Sequence, residues 1–300
     1  MPVRRLPIVI AFLASAMLIP ACAWRKDIAH ALPTVDNNVC KKLRGHVLVY
    51  AVFVDSKYTG DWSTHDITST LDSIRTAMRW VEDQAHTRAI PLTIDVACHQ
   101  RDGIVPVAAD LQRKTVGPTL LGGNGIRNID RWADKAAKQA AAAFGPDTAR
   151  ITRSKIVPRD TDRLIARIRD QYKVDDVALL FFVDNYFRED VSVVLHAGET
   201  EHVEYGVVSY KRPAIIAHEF LHLFGALDLY ITPFDRRNAA QRRKVYAMRE
   251  FPDEVMAFAY RSLDSLRVLP LSEYLIGWRN DLDPGYLKLI TGKRLKVVKY

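Results

Sequence analysis

Apolar and polar positions alternate along the chain in a way that predicts strands and helices in mixed order. Continuous apolar runs at 46–54 and 177–183 predict buried strands, and residues 91–97 are predicted to form another strand. Between residues 54 and 91, apolar side chains recur at helical spacing from Ile67 onward, which predicts one amphipathic helix that ends near Thr87. This strand–helix–strand order predicts two parallel strands joined by a crossover helix.

Weaker patterns supply the remaining elements. Glycine and proline between 99 and 128 predict a loop. Further helices are predicted at 130–144, 162–172, 239–250 and 271–278, further strands at 191–195 and 203–210, and either a strand or a surface segment at 288–300. One of the two further strands is predicted to form a sheet edge, where an extended peptide can add through backbone hydrogen bonds. The pattern predicts an α/β (α+β) fold with a mixed twisted sheet, backing helices and a helical lower part.

The segment HEFLHLFGALD, which begins at His218, has the residue types of a catalytic zinc site. On a helix, His218 and His222 lie one turn apart on one face, where two neutral imidazoles chelate one Zn²⁺. Glu219 lies beside them, where it can take a proton from a metal-activated water as the catalytic base. Gly225 permits a turn that brings Asp228 in as third ligand and leaves the fourth position for water. A structural histidine pair on a core helix is the alternative.

The pattern HExxHxxGxxD with a methionine downstream resembles the metzincin clan of zinc metallopeptidases, in the bacterial branch where aspartate replaces the third histidine. The resemblance implies a zincin/metzincin-like fold with the zinc helix in the cleft, one catalytic Zn²⁺, and protein or peptide substrates. It also implies that Met256 forms the Met-turn beneath the metal, for which core filling is the alternative. The match covers only the zinc helix and this turn.

The chain departs from the clan at the position of an assisting tyrosine. In several branches this tyrosine stands two residues after the Met-turn methionine, where the present chain has Phe258. The role is therefore vacant or passes to Tyr260 or Tyr230.

A rival zincin layout takes its third ligand from a glutamate on a later helix. Glu250 and Glu254 are the candidates, but Pro252 between them argues against one continuous helix. Asp228 is therefore the preferred third ligand.

Residues 1–22 are predicted to be a secretory signal peptide, because Arg4 and Arg5 precede an apolar run too short for a comfortable membrane span. The run ends in a sequence that resembles a bacterial lipobox, with Cys22 as the lipidated residue, although a plain A-x-A cleavage site overlaps it. An N-terminal tether is then predicted at 23–45 and a single zinc metallopeptidase-like catalytic domain at 46–300. The chain is expected to be exported by a bacterium, to the cell envelope or beyond it.

Three cysteines are an odd number for an exported chain. Once Cys22 is lipidated or removed, Cys40 and Cys98 remain as candidates for a disulfide. If the strands at 46–54 and 91–97 are parallel, these two cysteines start at opposite ends of them, and the segment after Cys40 is just long enough to run back. The bridge is left open at this point.

The formal net charge is +8, and basic residues cluster just past the zinc motif, at Arg236, Arg237, Arg242, Arg243 and Lys244. Such a cluster forms either a solvated helix face or a surface that attracts acidic peptides or anionic surfaces. No recognised nucleic-acid-binding module accompanies the charge, so no nucleic-acid partner is expected.

The main prediction is a secreted or lipid-anchored zinc-dependent endopeptidase that contacts the membrane only through its lipid. One alternative is a surface lipoprotein that keeps the zincin fold and acts as an adhesin or binding module. Another is a metal-dependent hydrolase that acts on a non-peptide bond. The oligomeric state is left open.

Overall fold

A mostly parallel β-sheet forms the centre of the molecule. The computed structural model describes residues 40, 42–101, 103, 105–111, 123–145, 158–184, 192–197, 202–209, 211–230 and 237–291. The strands are β1 (Gly45–Asp55), β2 (Leu92–Cys98), β3 (Val107–Ala108), β4 (Asp176–Val183), β5 (Val193–Leu195) and β6 (Tyr205–Val208). Their order is β2-β1-β4-β6-β5, with β3 also paired to β1, and only the β5–β6 pair is antiparallel. The predicted mixed α/β fold is confirmed.

Helices cover both faces of this sheet. They are α1 (Thr64–His86), α2 (Gly123–Ala141), α3 (Asp160–Tyr172), α4 (Pro213–Leu223), α5 (Arg237–Glu250), α6 (Val255–Phe258), α7 (Pro270–Leu275) and α8 (Leu287–Thr291), with 3₁₀ turns at Ala142–Phe144 and Leu263–Ser265. One core contains α1, α4 and the later helices, and the other contains α2 and α3. Within the described ranges, no helix combines the length and apolarity that a membrane crossing requires.

Strand β1 connects the two cores because its side chains alternate between the faces of the sheet. Val49 and Phe53 point into the core that contains α4, whereas Tyr50 and Val52 point into the core that contains α2 and α3. All of these side chains are buried, as expected for a strand with helices on both sides. The continuous apolar run predicted as a buried strand therefore forms one.

The predicted crossover is confirmed, since β1 and β2 pair in parallel and α1 joins them. The Ser63 hydroxyl accepts the backbone N–H of Asp66 and caps the first turn of α1. The helix ends at His86, with Thr87 at its C-cap, as predicted.

Two elements lie where the sequence predicted a loop at 99–128. Strand β3 pairs with the end of β1, and α2 begins at Gly123 rather than at residue 130. Buried Ile129 and Trp132 give this helix an apolar face, and that packing overrides the poor helix propensity of its first glycines. In the C-terminal tail, α8 replaces the start of the strand considered there, and 292–300 lie outside the described residues.

The chain just before β1 is part of the folded core. Cys40 and Leu43 are buried, the Leu43 N–H donates to the Ile276 carbonyl (2.9 Å), and the Trp278 indole donates to the Leu43 carbonyl (2.7 Å). The last residues of the tether predicted at 23–45 therefore belong to the fold. The predicted signal peptide and Cys22 lie outside the described residues.

Cys40 and Cys98 are free thiols, so the disulfide considered between them is not formed. The Cys40 thiol contacts the Val177 carbonyl near the start of β4 (3.5 Å), whereas Cys98 ends β2 opposite Ala51. Val177 pairs with Leu48 on one side of β1 and Cys98 pairs with Ala51 on the other, so β1 lies between the two positions. The chain after Cys40 does not run back to Cys98.

A buried polar cluster ties the β5–β6 end of the sheet to α2 and α3. Asp130 accepts hydrogen bonds from Tyr205 (2.7 Å) and His196 (2.8 Å) and pairs with Arg159 (3.0 Å). Burial opposes the charge of Asp130, but the bonds from His196 and Tyr205 outweigh it and lower its pKa to about 2. The cluster holds His196, which follows β5 with φ +62°, against α2.

Glu204, just before β6, is a carboxyl group without a charged partner among the residues described around it. Its side chain is buried, and Oε2 has no hydrogen-bond partner. Burial raises the pKa of Glu204 to about 8, although backbone N–H groups of Glu204 and Cys40 oppose the rise. The folded protein therefore favours the neutral form of this side chain.

We expect Glu204→Gln to stabilise the protein at alkaline pH. A raised folded-state pKa gives stability that is complete below the unfolded value of about 4.3 and is lost as pH rises through about 8. Glutamine stays neutral, so the variant should gain about 2–4 kcal/mol in unfolding free energy at pH 9 and much less at pH 5. Urea unfolding at both pH values measures this, with Asp281→Asn as the control that removes an exposed carboxylate.

Candidate metal centre

Helix α4 presents the histidine motif on a rigid, buried element. Pro213 occupies its first turn, where a missing N–H is harmless, and Ile216 and Phe220 anchor it in the core. The helix ends at Leu223, and Gly225 follows with φ +94°. That conformation is open to glycine and turns the chain back along the helix end, as predicted.

This turn brings together the three predicted metal ligands. His222 Nε2 lies 3.0 Å from His218 Nε2 and 3.1 Å from Asp228 Oδ1, and His218 Nε2 lies 3.2 Å from the same carboxylate oxygen. Among the described residues, these three form the one group of histidine, cysteine and acidic side chains close enough to share a metal ion. His218 is buried, and the other two are half-buried, so the group faces outward on one side.

Backbone carbonyls hold the far nitrogen of each imidazole. His218 Nδ1 lies 3.3 Å from the Val255 carbonyl, and His222 Nδ1 lies 2.7 Å from the Ala226 carbonyl. A carbonyl only accepts, so each Nδ1 carries the proton and each neutral ring turns the lone pair of Nε2 inward. Two nitrogen lone pairs and one carboxylate oxygen then converge, an arrangement that a cation or a proton must stabilise.

The pKa values of His222 and Asp228 also indicate that these three side chains favour a bound positive charge. Burial disfavours the imidazolium of His222, but the Asp228 carboxylate outweighs it and raises the pKa of His222 to about 9. Burial also disfavours the charge of Asp228, but its close contacts with His218 and His222 hold its pKa well below the usual range. In the metal-free protein, a proton on His222 takes the place of a cation.

The geometry and chemistry of these atoms fit zinc. Donor atoms of a tetrahedral site with bonds of about 2.0–2.1 Å lie roughly 3.4 Å apart. The three separations here, 3.0–3.2 Å, are close to that value. Two imidazoles and one carboxylate are a zinc donor set, and three protein donors leave one position for water.

Glu219 lies on the same helix and is buried. Burial raises its pKa, and the neighbouring His218 and His222 oppose that rise. A carboxylate whose pKa is raised is a stronger base than one exposed to water. The position predicted for the proton acceptor therefore holds a group suited to that role.

The segment predicted as a Met-turn packs against the histidine motif. Met256 is buried in the single turn of α6, and its carbonyl accepts the N–H of Leu229, directly after Asp228 (3.1 Å). The preceding residue, Val255, supplies the carbonyl that holds His218. Both ends of the metal motif are thus bonded to this segment, while the Met-turn itself stays a prediction.

The two tyrosines considered for the assisting role lie at different distances from the site. Phe258 is buried, and the Tyr260 beside it is 62% exposed. Tyr230 lies closer to the site, since its ring centroid is 5.8 Å from that of His218. Of the two, the structure brings only Tyr230 next to a ligand.

The rival third ligands do not reach the histidines. Glu250 ends α5 and pairs with the adjacent Arg249 (2.9 Å). Glu254 is buried at the N-cap of α6, where it accepts backbone N–H groups. The chain breaks between the two helices at Pro252, as predicted. The layout with a later glutamate is therefore wrong.

Comparisons with protein-family models, curated proteins and solved structures found no match for the chain. A role for the site is therefore inferred from its own geometry and chemistry.

The sequence did not reveal the two carbonyls that orient the imidazoles. The Ala226 carbonyl follows from the local turn at Gly225, so the glycine was the available signal. The Val255 carbonyl comes from a segment that meets α4 only in the tertiary structure. Arg236 of the predicted basic cluster lies outside the described residues, the other four belong to α5, and of their side chains the structure describes only the half-buried Lys244.

We expect Gly225→Ala to destabilise the protein and weaken metal binding together. A side chain at φ +94° costs about 1–3 kcal/mol, and its Cβ makes only an ordinary contact with the Leu275 carbonyl (3.6 Å), so the strain lies in the backbone. Relaxing that strain moves Asp228. Gly145→Ala is the matched control, with φ +78° and open space around it. Equal loss of Zn²⁺ affinity in both variants, measured by chelator competition, would contradict the expected role of the turn.

Proposed function

We propose that the chain is a zinc-dependent endopeptidase. The observation that carries the proposal is the convergence of His218 Nε2, His222 Nε2 and Asp228 Oδ1 within 3.2 Å while both Nδ1 atoms bond to backbone carbonyls. A structural histidine pair in a core does not require three acceptors to face one another. A metal site with an open position does.

The residues of the site would divide the chemistry between them. His218, His222 and Asp228 would hold the ion, which when bound supplies a polarised carbonyl and a water with a pKa near 7. Glu219 would accept one proton from the attacking water as the new C–O bond forms, and would pass that proton to the amine nitrogen as the C–N bond breaks.

The outer strand of the sheet supports an extended peptide as substrate. Among the described strands, β5 stands last in the order and bonds only to β6, in antiparallel register. A strand with one free edge can bind an extended chain through backbone hydrogen bonds. The metzincin resemblance favours the same class of substrate, and we retain it as part of the proposal.

The location of the enzyme is also part of the proposal. The signal peptide predicted at 1–22 directs the chain out of a bacterial cytoplasm, and Cys22 anchors it through lipid to the cell envelope unless plain cleavage releases it. Cys40 and Cys98 are free thiols, so no disulfide adds support for export. The leader carries this part of the proposal.

We expect Glu219→Gln to keep the metal and to lose turnover. The amide cannot accept a proton, and the loss of a general base lowers kcat by about 10²–10⁴-fold. Zinc content and the rate of cleavage of a peptide library measure the two effects. Glu204→Gln, another buried glutamate exchange, serves as the control that cleaves like the parent.

A Glu219→Gln variant that cleaves as fast as the parent would contradict the mechanism. A parent protein that binds zinc and cleaves no peptide would favour the adhesin or binding module instead. Cleavage of esters without cleavage of peptides would favour the non-peptide hydrolase.

We expect Asp228→Ala to reduce zinc affinity by more than about 100-fold, the upper range for loss of an outer-shell partner. The variant removes an oxygen that lies within 3.2 Å of both imidazoles and leaves two ligands. Glu250→Ala is the control, because its carboxylate pairs with Arg249 outside the group. Unchanged zinc affinity in Asp228→Ala would remove this residue from the ligand set.

A further inference from the structure

Glu254 is a buried carboxylate close to the metal centre, and the proposed mechanism gives it no role. Its side chain is fully buried. One carboxylate oxygen accepts the N–H of Met256 (3.2 Å), and the other accepts the N–H of Leu269 (2.9 Å). Burying a charge is costly unless its bonds compensate for the lost water, so a carboxylate kept at this position calls for an explanation.

The bond to Met256 continues through one peptide group to a metal ligand. The N–H of Met256 and the carbonyl of Val255 belong to the same planar, resonance-stabilised unit. That carbonyl accepts the Nδ1–H of His218 (3.3 Å). Two hydrogen bonds and one peptide group therefore connect the Glu254 carboxylate to the imidazole of His218, whose Nε2 faces the site.

We propose that Glu254 is a positioning residue of the metal centre, which acts on His218 through the Val255–Met256 peptide group. The inference rests on the proposed function, because it requires a metal on His218. An anion that accepts the peptide N–H draws electron density toward the carbonyl oxygen and makes that oxygen a stronger acceptor. A stronger acceptor fixes the tautomer of His218 and raises the basicity of its Nε2, as a directly bonded carboxylate does in many zinc sites.

The surrounding bonds make the peptide group rigid enough for this role. The N–H of Val255 donates to the Arg267 carbonyl (3.0 Å), and the N–H of Arg267 donates to the Asp253 carbonyl (2.7 Å). The Met256 carbonyl accepts the N–H of Leu229 next to Asp228 (3.1 Å). Glu254 bonds to the chain at Met256 and at Leu269. It thereby holds in place the carbonyls of Val255 and Met256, which accept hydrogen bonds from the metal motif.

The charge of Glu254 is available at mildly alkaline pH. Burial raises its pKa to about 7, and the N–H groups of Met256 and Leu269 oppose the rise. The test is therefore made at pH 8, where the side chain is mainly a carboxylate.

The test compares Glu254→Gln with Glu254→Asp in the full mature chain. Glutamine keeps the length and loses the charge. Aspartate keeps the charge and is a favoured N-cap residue, so it can still accept the N–H of Met256 while losing Leu269. Both variants should lose stability in urea unfolding of the metal-free protein. Glu204→Gln is the matched control, a buried carboxylate with a raised pKa elsewhere in the fold.

Zn²⁺ affinity, measured by chelator competition, should separate the variants. We expect Glu254→Gln to bind zinc about 10–100-fold more weakly than the parent, Glu254→Asp to stay within about 3-fold, and Glu204→Gln to be unchanged. The Nδ1–H proton resonance of His218 in the zinc-loaded protein should move upfield in Glu254→Gln only, because its acceptor is weaker. A purely structural role would lower affinity in both Glu254 variants in proportion to their lost stability.

Equal zinc affinity in Glu254→Gln and the parent, or equal loss in both Glu254 variants, would overturn the inference. If Glu254→Gln does not fold, the His218 resonance of zinc-loaded Glu254→Asp decides: a position like that of the parent supports the role, and a displaced one overturns it. A parent chain that binds no zinc refutes the proposed function itself. A zinc-binding parent with no peptide cleavage refutes the peptidase and leaves the role of Glu254 open to the same affinity test.

Discussion

Two backbone carbonyls set the chemistry of this molecule, because they hold the outer nitrogens of His218 and His222. With Nδ1 occupied on both rings, the lone pairs of both Nε2 atoms must face Asp228. The opposite tautomers would turn two Nε2–H donors inward and two Nδ1 lone pairs against carbonyl oxygens, and would leave no nitrogen lone pair for a shared ion. A metal centre on α4 therefore depends on the positions of the Val255 and Ala226 carbonyls.

The sheet provides that placement. Strands β1 and β4 are buried on both faces, so helices must pack on each side, and α4 lies in the core together with α1 and the segment around α6. This packing brings the Val255 carbonyl to α4 from a distant part of the chain. The opposite face, with α2 and α3, fixes the end of β5 through the cluster around Asp130. Each face of the sheet thus supports a different part of the proposed cleft.

Much of the candidate site could be predicted because its ligands are local. The spacing of His218 and His222 on a helix and the turn at Gly225 are properties of a short segment, and the structure brings both together with Asp228. The parallel β1–β2 pair followed from a periodic pattern of the same local kind. Prediction failed where tertiary packing decides: α2 begins at Gly123 because of what it packs against, and no local signal marks Glu254 as an acceptor for Met256 and Leu269.

The hydrogen bonds between α6 and the metal motif also affect when the metal site can form during synthesis and folding of the chain. The ligands lie in one short stretch of chain, yet the group that orients His218 belongs to residues translated later. An emerging chain that has made α4 but not α6 can orient His222 through the Ala226 carbonyl but lacks the carbonyl that fixes the tautomer of His218. The complete donor set would then form only after the segment around Val255 has docked on α4.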